Sequence, residues 1–166
     1  MQTSKKWVKI DDSIFTLWDN NHQIGKLEIA KRNSEKKANV SFQDKEFVIK
    51  KTGFWKSNLE ITDLNGQIIA RTYSEKWYRN SFVLEIGSMK YKLLVRNNPL
   101  AEWTIQDNNK DLLAYGLSTQ DGKVAVKIKS NSEEPNYLFD FILWYLFEPI
   151  ATEQCADDLT FLLLIA

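Results

Sequence analysis

The stretch YLFDFILWYLF, residues 137–147, is an almost unbroken apolar run in a chain that otherwise consists of short, charged, alternating segments. Asn136 precedes it as a suitable helix N-cap, and Pro149 follows it as a residue that disfavours further helix. Such a helix is apolar on nearly every side, which indicates complete burial. About thirteen residues span roughly 20 Å and fall short of the roughly 20 residues that cross a bilayer. We therefore expect a core helix over residues 136–148.

Length and composition indicate one folded domain. The chain has 166 residues, 13% of them aromatic and six of them Trp, which supply large buried areas. The single Cys155 excludes an internal disulfide, and with the single His22 it cannot form a Cys/His metal cluster. The first twelve residues contain no apolar segment of the kind that a signal peptide needs. We expect a cytoplasmic protein without metal or cofactor.

A hairpin pattern recurs every 44 residues. The three copies are FTLWDNNHQIGKL from Phe15, LEITDLNGQIIAR from Leu59 and WTIQDNNKDLLAY from Trp103. Each copy alternates apolar and polar residues up to an Asp-x-Asn turn at Asp19, Asp63 or Asp107 and then resumes an apolar run. Asp and Asn suit a tight reversal because they bond neighbouring backbone N–H groups and tolerate left-handed dihedrals. The repeat predicts antiparallel hairpins.

The repeat also predicts how many strands there are and how they close. Two units have a second hairpin, and the third lacks its last strand, which the N-terminal segment KWVKI (Lys6 to Ile10) supplies. Three units are too few for a propeller, whereas a closed barrel leaves no exposed strand edge. The interior of a twelve-stranded barrel is too wide to be filled by the barrel's own side chains, so a helix must occupy it. We expect an all-β single domain over residues 1–166. It would be a closed 12-stranded antiparallel barrel of strands over about 5–131, around a central C-terminal helix, with the tail 149–166 capping one mouth.

Twelve strands followed by one apolar helix resemble the tubby C-terminal-like fold of tubby domains, phospholipid scramblases and LURP-one-related proteins. The join from the turn Gly122-Lys123 through VAVKIKS into NYLFDFILWYLFE is similar to the last strand and core helix of the LURP-one-related group. The resemblance covers residues 5–148 as a pattern and departs at residues 149–166. It implies docking on anionic lipid headgroups, as tubby domains do with phosphoinositides. No motif matches the tubby lysine and arginine ligands residue for residue, so those ligands are not carried over.

Residues that could support catalysis are few. His22 lies in the first Asp-x-Asn turn, where an exposed turn residue is expected, and the acidic neighbours of Cys155 disfavour a reactive thiolate. The six glycines are scattered singly and form no phosphate-binding loop. Asp140 lies within the apolar run. There a carboxylate that bonds backbone N–H groups or reaches the barrel mouth is favoured over an acid–base role. We expect no enzyme.

Charge is divided unevenly between the two parts of the chain. Residues 1–96 carry 18 Lys/Arg against 11 Asp/Glu, and residues 97–166 carry 4 against 11. The basic residues concentrate in connections between strands, where interfacial aromatics accompany them. The candidate lipid-binding residues are Lys31, Arg32, Lys36, Lys37, Lys50, Lys51, Lys56, Lys76, Trp77, Tyr78 and Arg79. They would converge if equivalent connections share one rim; the alternative is that they form solvated turns, with Trp77 folded back onto the barrel.

These observations predict a non-enzymatic module that docks on anionic phospholipid or phosphoinositide headgroups, peripheral to a membrane. The alternative is a soluble protein-interaction or scaffold domain without lipid affinity, whose partner would be another protein. Nucleic-acid binding needs a more basic domain with stacking aromatics along a groove, so we expect no nucleic acid as partner. Lipid movement of the scramblase kind is disfavoured because the apolar helix is needed in the core.

Overall fold

A computed structural model describes residues 5–32, 35–53, 58–74, 80–97, 100–155 and 164–165. Twelve consecutive strands within these ranges form one antiparallel sheet in chain order, followed by one helix and a short thirteenth strand. The elements are β1 (Lys6–Lys9), β2 (Ile14–Asp19), β3 (His22–Arg32), β4 (Glu35–Phe42), β5 (Lys45–Thr52), β6 (Asn58–Asp63), β7 (Ile68–Tyr73), β8 (Ser81–Ile86), β9 (Met89–Asn97), β10 (Ala101–Asp107), β11 (Lys110–Gln120), β12 (Lys123–Ser130), α1 (Tyr137–Gln154) and β13 (Leu164–Ile165). The predicted antiparallel β architecture with one C-terminal helix is confirmed.

The repeated turns have the backbone conformation that their residues favour. Asn20 and Asn21 have φ of 49° and 66°, and Asn108 and Asn109 have φ of 48° and 64°. Two consecutive left-handed residues match the twist of the flanking strands, and Asn adopts this conformation at low cost. In the longer middle turn, Asp63 Oδ1 accepts hydrogen bonds from the backbone N–H groups of residues 65 and 67, each at 2.9 Å. The predicted turns are therefore confirmed.

The 44-residue repeat extends to irregularities in the ladder. A register shift follows Leu17, Ile61 and Ile105, each 44 residues from the next, and all three side chains are buried. Each faces a buried residue on the preceding strand. These pairs are Trp7 with Leu17, Ile49 with Ile61 and Leu93 with Ile105. The N-terminal strand β1 thus takes the place before its unit that β5 and β9 take before theirs, as the repeat predicts.

The edges of the sheet differ from the predicted closure. Among the described residues β1 pairs only with β2, and no ladder joins β1 to β12. The free side of β12 instead pairs in parallel with β13, through Lys127 with Leu164 and Ile128 with Ile165. A closed barrel is therefore not confirmed, and the tail contributes a strand beside β12. Residues 156–163 and 166 of the predicted capping tail lie outside the described residues.

The sheet curves around α1. Aromatic rings from strands far apart in the sheet contact the same helix, whose residues 141–145 are all fully buried. The contacts are Trp7 with Trp144, Phe42 with Phe141, Tyr91 with Phe139 and Tyr115 with Trp144, at ring-centroid distances of 5.2, 5.0, 5.0 and 6.4 Å. Since these rings come from β1, β4, β9 and β11, the sheet surrounds much of the helix. The predicted core position of the helix is confirmed.

One glycine permits the close approach of strand and helix. A Cβ atom on Gly25 of β3 would lie 2.8 Å from Phe141 Cζ and 2.6 Å from Phe42 Cβ, and it would also meet the Ser41 carbonyl oxygen. Real Cβ atoms do not come so close to their neighbours. Gly25 is therefore required by packing between β3, β4 and α1, because no side chain fits there.

The helix begins where the sequence predicts and ends later. Asn136 Oδ1 accepts a hydrogen bond from the N–H of Leu138 at 3.2 Å, which confirms the N-cap. The prediction that Pro149 ends the helix is wrong, since α1 continues to Gln154. Pro149 has no N–H, so the carbonyl of Tyr145 lacks its usual donor within the helix. Lys36 Nζ lies 3.4 Å from that carbonyl oxygen and supplies a donor instead. Within the described residues, no helix is long and apolar enough to cross a membrane.

Candidate functional site

A buried polar cluster joins the N-terminal strand to the start of the helix. Lys5 Nζ lies 2.9 Å from Asp140 Oδ2, and the Tyr115 hydroxyl donates a hydrogen bond to Asp140 Oδ1 at 2.7 Å. Trp7 Nε1 donates to the Tyr115 hydroxyl oxygen at 2.9 Å. All four side chains are buried from solvent. The position expected for Asp140 is wrong: its oxygens accept from side chains in the core and do not reach a barrel mouth.

Burial sets the protonation behaviour of this cluster. Burial raises the pKa of Asp140, opposed by the Lys5 ammonium and the Tyr115 hydroxyl, and it raises the pKa of Tyr115 well above 10. An ion pair buried from solvent fixes one arrangement of strands around the helix. We therefore interpret the cluster as structural.

A second contact ties the first repeated turn to the helix. The Tyr137 hydroxyl donates a hydrogen bond to Asp19 Oδ2 at 2.9 Å, and Lys5 Nζ lies 5.4 Å from the centre of the Tyr137 ring. Burial, and then the hydrogen bond to Asp19, raises the pKa of Tyr137 to about 12. The first Asp of the repeat thus positions α1, whereas its counterpart Asp63 closes its own turn.

The predicted basic connections are flanked by strands that end at one end of the sheet. In an antiparallel sheet that follows chain order, connections alternate between the two ends. The strands joined by these three connections, β3–β4, β5–β6 and β7–β8, therefore meet at the same end of the sheet. The helix α1 also ends there, because Lys36, near the beginning of β4, contacts Glu148 in the later part of α1. We call this end of the sheet the helix-exit end. Residues 56 and 76–79 of the predicted site, including Trp77, lie outside the described residues, as do the side chains of Lys31 and Arg32.

Lys36 belongs to the core of the helix-exit end. Its Nζ lies 3.4 Å from Glu148 Oε2 and 5.0 Å from the centre of the Tyr145 ring. Glu148 is almost fully buried, and its other oxygen accepts a hydrogen bond from Thr152 Oγ1 at 2.9 Å. Burial raises the pKa of Tyr145 to about 12. Lys36 was predicted to face a lipid surface; the structure assigns its ammonium to the helix.

The remaining described lysines of the predicted site differ in their surroundings. Lys37 and Lys51 are exposed near the helix-exit end, and the half-buried Lys50 places its Nζ 3.2 Å from Glu60 Oε1 on the next strand. A partly exposed ion pair of this kind contributes little to stability and leaves little net charge for a ligand. Because their side chains are exposed, Lys37 and Lys51 are the described lysines of the predicted site best placed to face an anionic surface.

The residues considered for catalysis lie apart. His22 opens β3 in an exposed position with Nδ1 3.0 Å from the Asn20 carbonyl oxygen, as expected. Cys155 caps the end of α1, and its Sγ lies 3.4 Å from the Val124 carbonyl oxygen. Within the described ranges, no three His, Cys, Asp or Glu side chains are grouped to hold a metal ion.

Two surface grooves were not predicted from the sequence. One, of about 480 Å³, lies where β8 and β9 meet the β10–β11 turn; the other, of about 290 Å³, lies where β3, β4 and β5 meet the β6–β7 turn. Both turns are at the end of the sheet opposite the helix-exit end. The signal in the sequence was the 44-residue repeat: once one groove is known, the repeat indicates the position of the other.

Comparison with known proteins does not place the chain in a family. No family model matches it, and no curated protein or solved structure matches it either. The likeness to the tubby C-terminal-like fold therefore remains an inference from strand number and the apolar helix.

Proposed function

We propose that the chain is a non-enzymatic binding module that docks its helix-exit end on anionic phospholipid headgroups, including phosphoinositides. The observation that carries the proposal is the strand order. The strands that flank the three basic connections all end at the helix-exit end. Each Lys or Arg close to an anionic membrane surface contributes about 1 kcal/mol, so binding needs several cations at one end.

The site that we propose differs from the full set of basic residues. Lys36 is excluded because its ammonium pairs with Glu148 and bonds the helix, and Lys50 contributes little because it pairs with Glu60. Lys37 and Lys51, whose side chains are exposed, belong to the proposed site together with the cations whose side chains lie outside the described residues. The aromatic residues Trp77 and Tyr78 would enter the interface between headgroups and acyl chains.

Charge reversal at the helix-exit end tests the proposal. Wild-type protein should sediment with vesicles containing phosphatidylserine or a phosphoinositide, and less so as salt shortens the Debye length from about 10 Å at 0.1 M to about 3 Å at 1 M. The variant Lys31→Glu/Arg32→Glu/Lys37→Glu should stay in the supernatant.

The matched control reverses three exposed lysines elsewhere, Lys26→Glu/Lys45→Glu/Lys110→Glu, and should still sediment. Equal loss of binding in both variants would mean that net charge, and not this end of the sheet, determines binding. Unchanged binding of the first variant would overturn the proposed site.

A second candidate function is a protein-interaction module. Three of the exposed large apolar side chains, Leu64, Ile68 and Met89, are 69%, 49% and 53% exposed. They lie at the β6–β7 and β8–β9 connections, at the end opposite the helix-exit end. Exposed apolar residues grouped at one end favour a protein partner there. Absence of vesicle binding at low salt, together with a partner lost on Leu64→Asp/Met89→Asp, would favour this function.

We further propose that the sheet closes into a barrel of the tubby C-terminal-like type and that the protein works at the cytoplasmic face of a membrane. The curvature of the sheet around α1 supports closure, because rings from both β1 and β11 reach Trp144. Hydrogen exchange tests it: closure protects β1 amides on the side away from β2. Rapid exchange of all those amides would favour an open sheet.

A further inference from the structure

The larger groove combines charge, amides and an aromatic ring. Its lining residues are Ser81, Phe82, Val83, Lys90, Tyr91, Lys92, Gln106, Asp107, Asn108 and Asn109. At about 480 Å³ it falls within the size range of small-molecule sites. It lies at the end of the sheet opposite the helix-exit end, so it is separate from the proposed membrane site.

The groove arises from a step in the sheet. Pairing of β9 with β10 ends at Lys92 opposite Gln106, whereas β9 continues to Met89 and pairs there only with β8. Residues 89–91 of β9 therefore have no partner on β10. The β10–β11 turn, with Asn108 and Asn109 in left-handed conformations, forms the opposite wall. The part of β9 without a partner on β10 thus borders a cleft that a polar ligand can enter.

The smaller groove is the counterpart of the larger one in the preceding repeat. Four lining positions correspond at a spacing of 44 residues: Asn39 and Val83, Glu46 and Lys90, Phe47 and Tyr91, Leu64 and Asn108. The aromatic position is kept, but the acidic residue becomes basic and the apolar residue of the turn becomes an amide. The repeat therefore creates both grooves, and only the larger one has a cation in place of Glu46 and an amide in place of Leu64.

The charges of the larger groove are available to a ligand. Lys90 and Lys92 are exposed, and neither ammonium forms an ion pair with any residue in the described part of the chain. The Asp107 carboxylate at the opposite wall likewise forms no ion pair with a described residue. Two cations beside one carboxylate and the two asparagine amides of the turn match a ligand that carries both a phosphate and hydroxyl groups.

We propose that this groove binds a phosphorylated sugar. Lys90 and Lys92 take the phosphate, and Asp107 and Asn108 bond the hydroxyls. The phosphate is fixed by point charges and the sugar by directional hydrogen bonds, so removing either part of the ligand weakens binding.

Titration with glucose 6-phosphate tests the site, followed by calorimetry and by amide chemical shifts of residues 81–83 and 90–92. Binding should weaken roughly tenfold or more in Lys90→Gln/Lys92→Gln, the loss expected for one charge-assisted hydrogen bond. The matched control Lys26→Gln/Lys45→Gln removes two exposed lysines near the smaller groove and should bind as wild type. Glucose and inorganic phosphate should each bind more weakly than the sugar phosphate.

The experiment also separates a free ligand from a lipid one. Vesicles containing phosphatidic acid present a phosphate monoester on glycerol; if only they are bound, and Lys90→Gln/Lys92→Gln abolishes this binding, the groove takes a lipid headgroup. Absence of shifts at residues 81–83 and 90–92 with either probe would overturn the proposal. Because charge reversal at the helix-exit end leaves this groove intact, failure of either site is visible independently of the other.

Discussion

Removing the Asp140 carboxylate should destabilise the fold strongly. In Asp140→Ala, the Lys5 ammonium stays buried without its partner at 2.9 Å, and the Tyr115 hydroxyl loses its acceptor. An uncompensated buried charge costs about 3–5 kcal/mol, and a buried unsatisfied hydroxyl adds about 1–3 kcal/mol. Relaxation and water penetration reduce the total, so we expect a loss of about 3–5 kcal/mol of unfolding free energy. From the sequence alone only a modest loss is expected at this position.

Urea unfolding of three variants distinguishes charge from packing. Trp144→Ala should cost about 3–5 kcal/mol through a cavity between aromatic rings, similar to Asp140→Ala. The double variant Lys5→Met/Asp140→Leu removes both charges and should recover most of the loss, since apolar replacements of buried ion pairs are often neutral or stabilising. A loss below about 1 kcal/mol for Asp140→Ala, or no recovery in the double variant, would refute the buried ion pair.

The remaining predictions concern packing, the helix end and pH. Gly25→Ala should cost about 1–3 kcal/mol by thermal unfolding, because its Cβ overlaps neighbouring atoms; an unchanged midpoint would contradict the close packing. Lys36→Glu should cost about 2 kcal/mol or more by placing a second carboxylate in the helix-exit core, whereas Lys37→Glu should stay within about 0.5 kcal/mol. Tyrosines such as Tyr145 keep their protons in the fold to a pKa of about 12 and lose them near 10 when unfolded. The contribution of these tyrosines to stability is therefore complete below pH 10 and is lost as pH rises from 10 to 12, measured by urea unfolding; a flat profile over that range would contradict the burial.

The parts of the fold that local chemistry determines could be predicted from the sequence. The Asp-x-Asn turns at Asp19, Asp63 and Asp107 carry their backbone preference in adjacent residues, so their spacing predicted the hairpins. The apolar run 137–147 predicted a buried helix because no side of it could face water. Both signals act within a few residues and do not depend on the remainder of the fold.

The errors come from contacts between distant residues. The rule that proline ends a helix is local, and the donor that offsets Pro149 is Lys36, over a hundred residues earlier. Lys5 and Asp140 are 135 residues apart, and each resembles an ordinary solvated charge in its own segment. For Lys36 a signal existed: it alternates with the buried Ala38 and Val40 along β4 and so faces the core.

The strand beside β12 and the two grooves have only weak signals in the sequence. The pairing of β12 with the two residues of β13 is too short to leave a pattern in the sequence. The two grooves form where β5 and β9 extend beyond the strands β6 and β10 that pair with them. The positions of the turns determine this extension, and composition does not. The repeat nevertheless relates them, since their lining positions correspond at 44 residues.

Sedimentation of the wild-type protein with vesicles tests the proposed membrane function most directly. The vesicles should range from neutral phosphatidylcholine to mixtures with phosphatidylserine and phosphoinositide, at low and high salt. We predict no binding to neutral vesicles, binding that rises with anionic content, and loss of that binding at high salt. Failure to bind anionic vesicles even at low salt would contradict the membrane function.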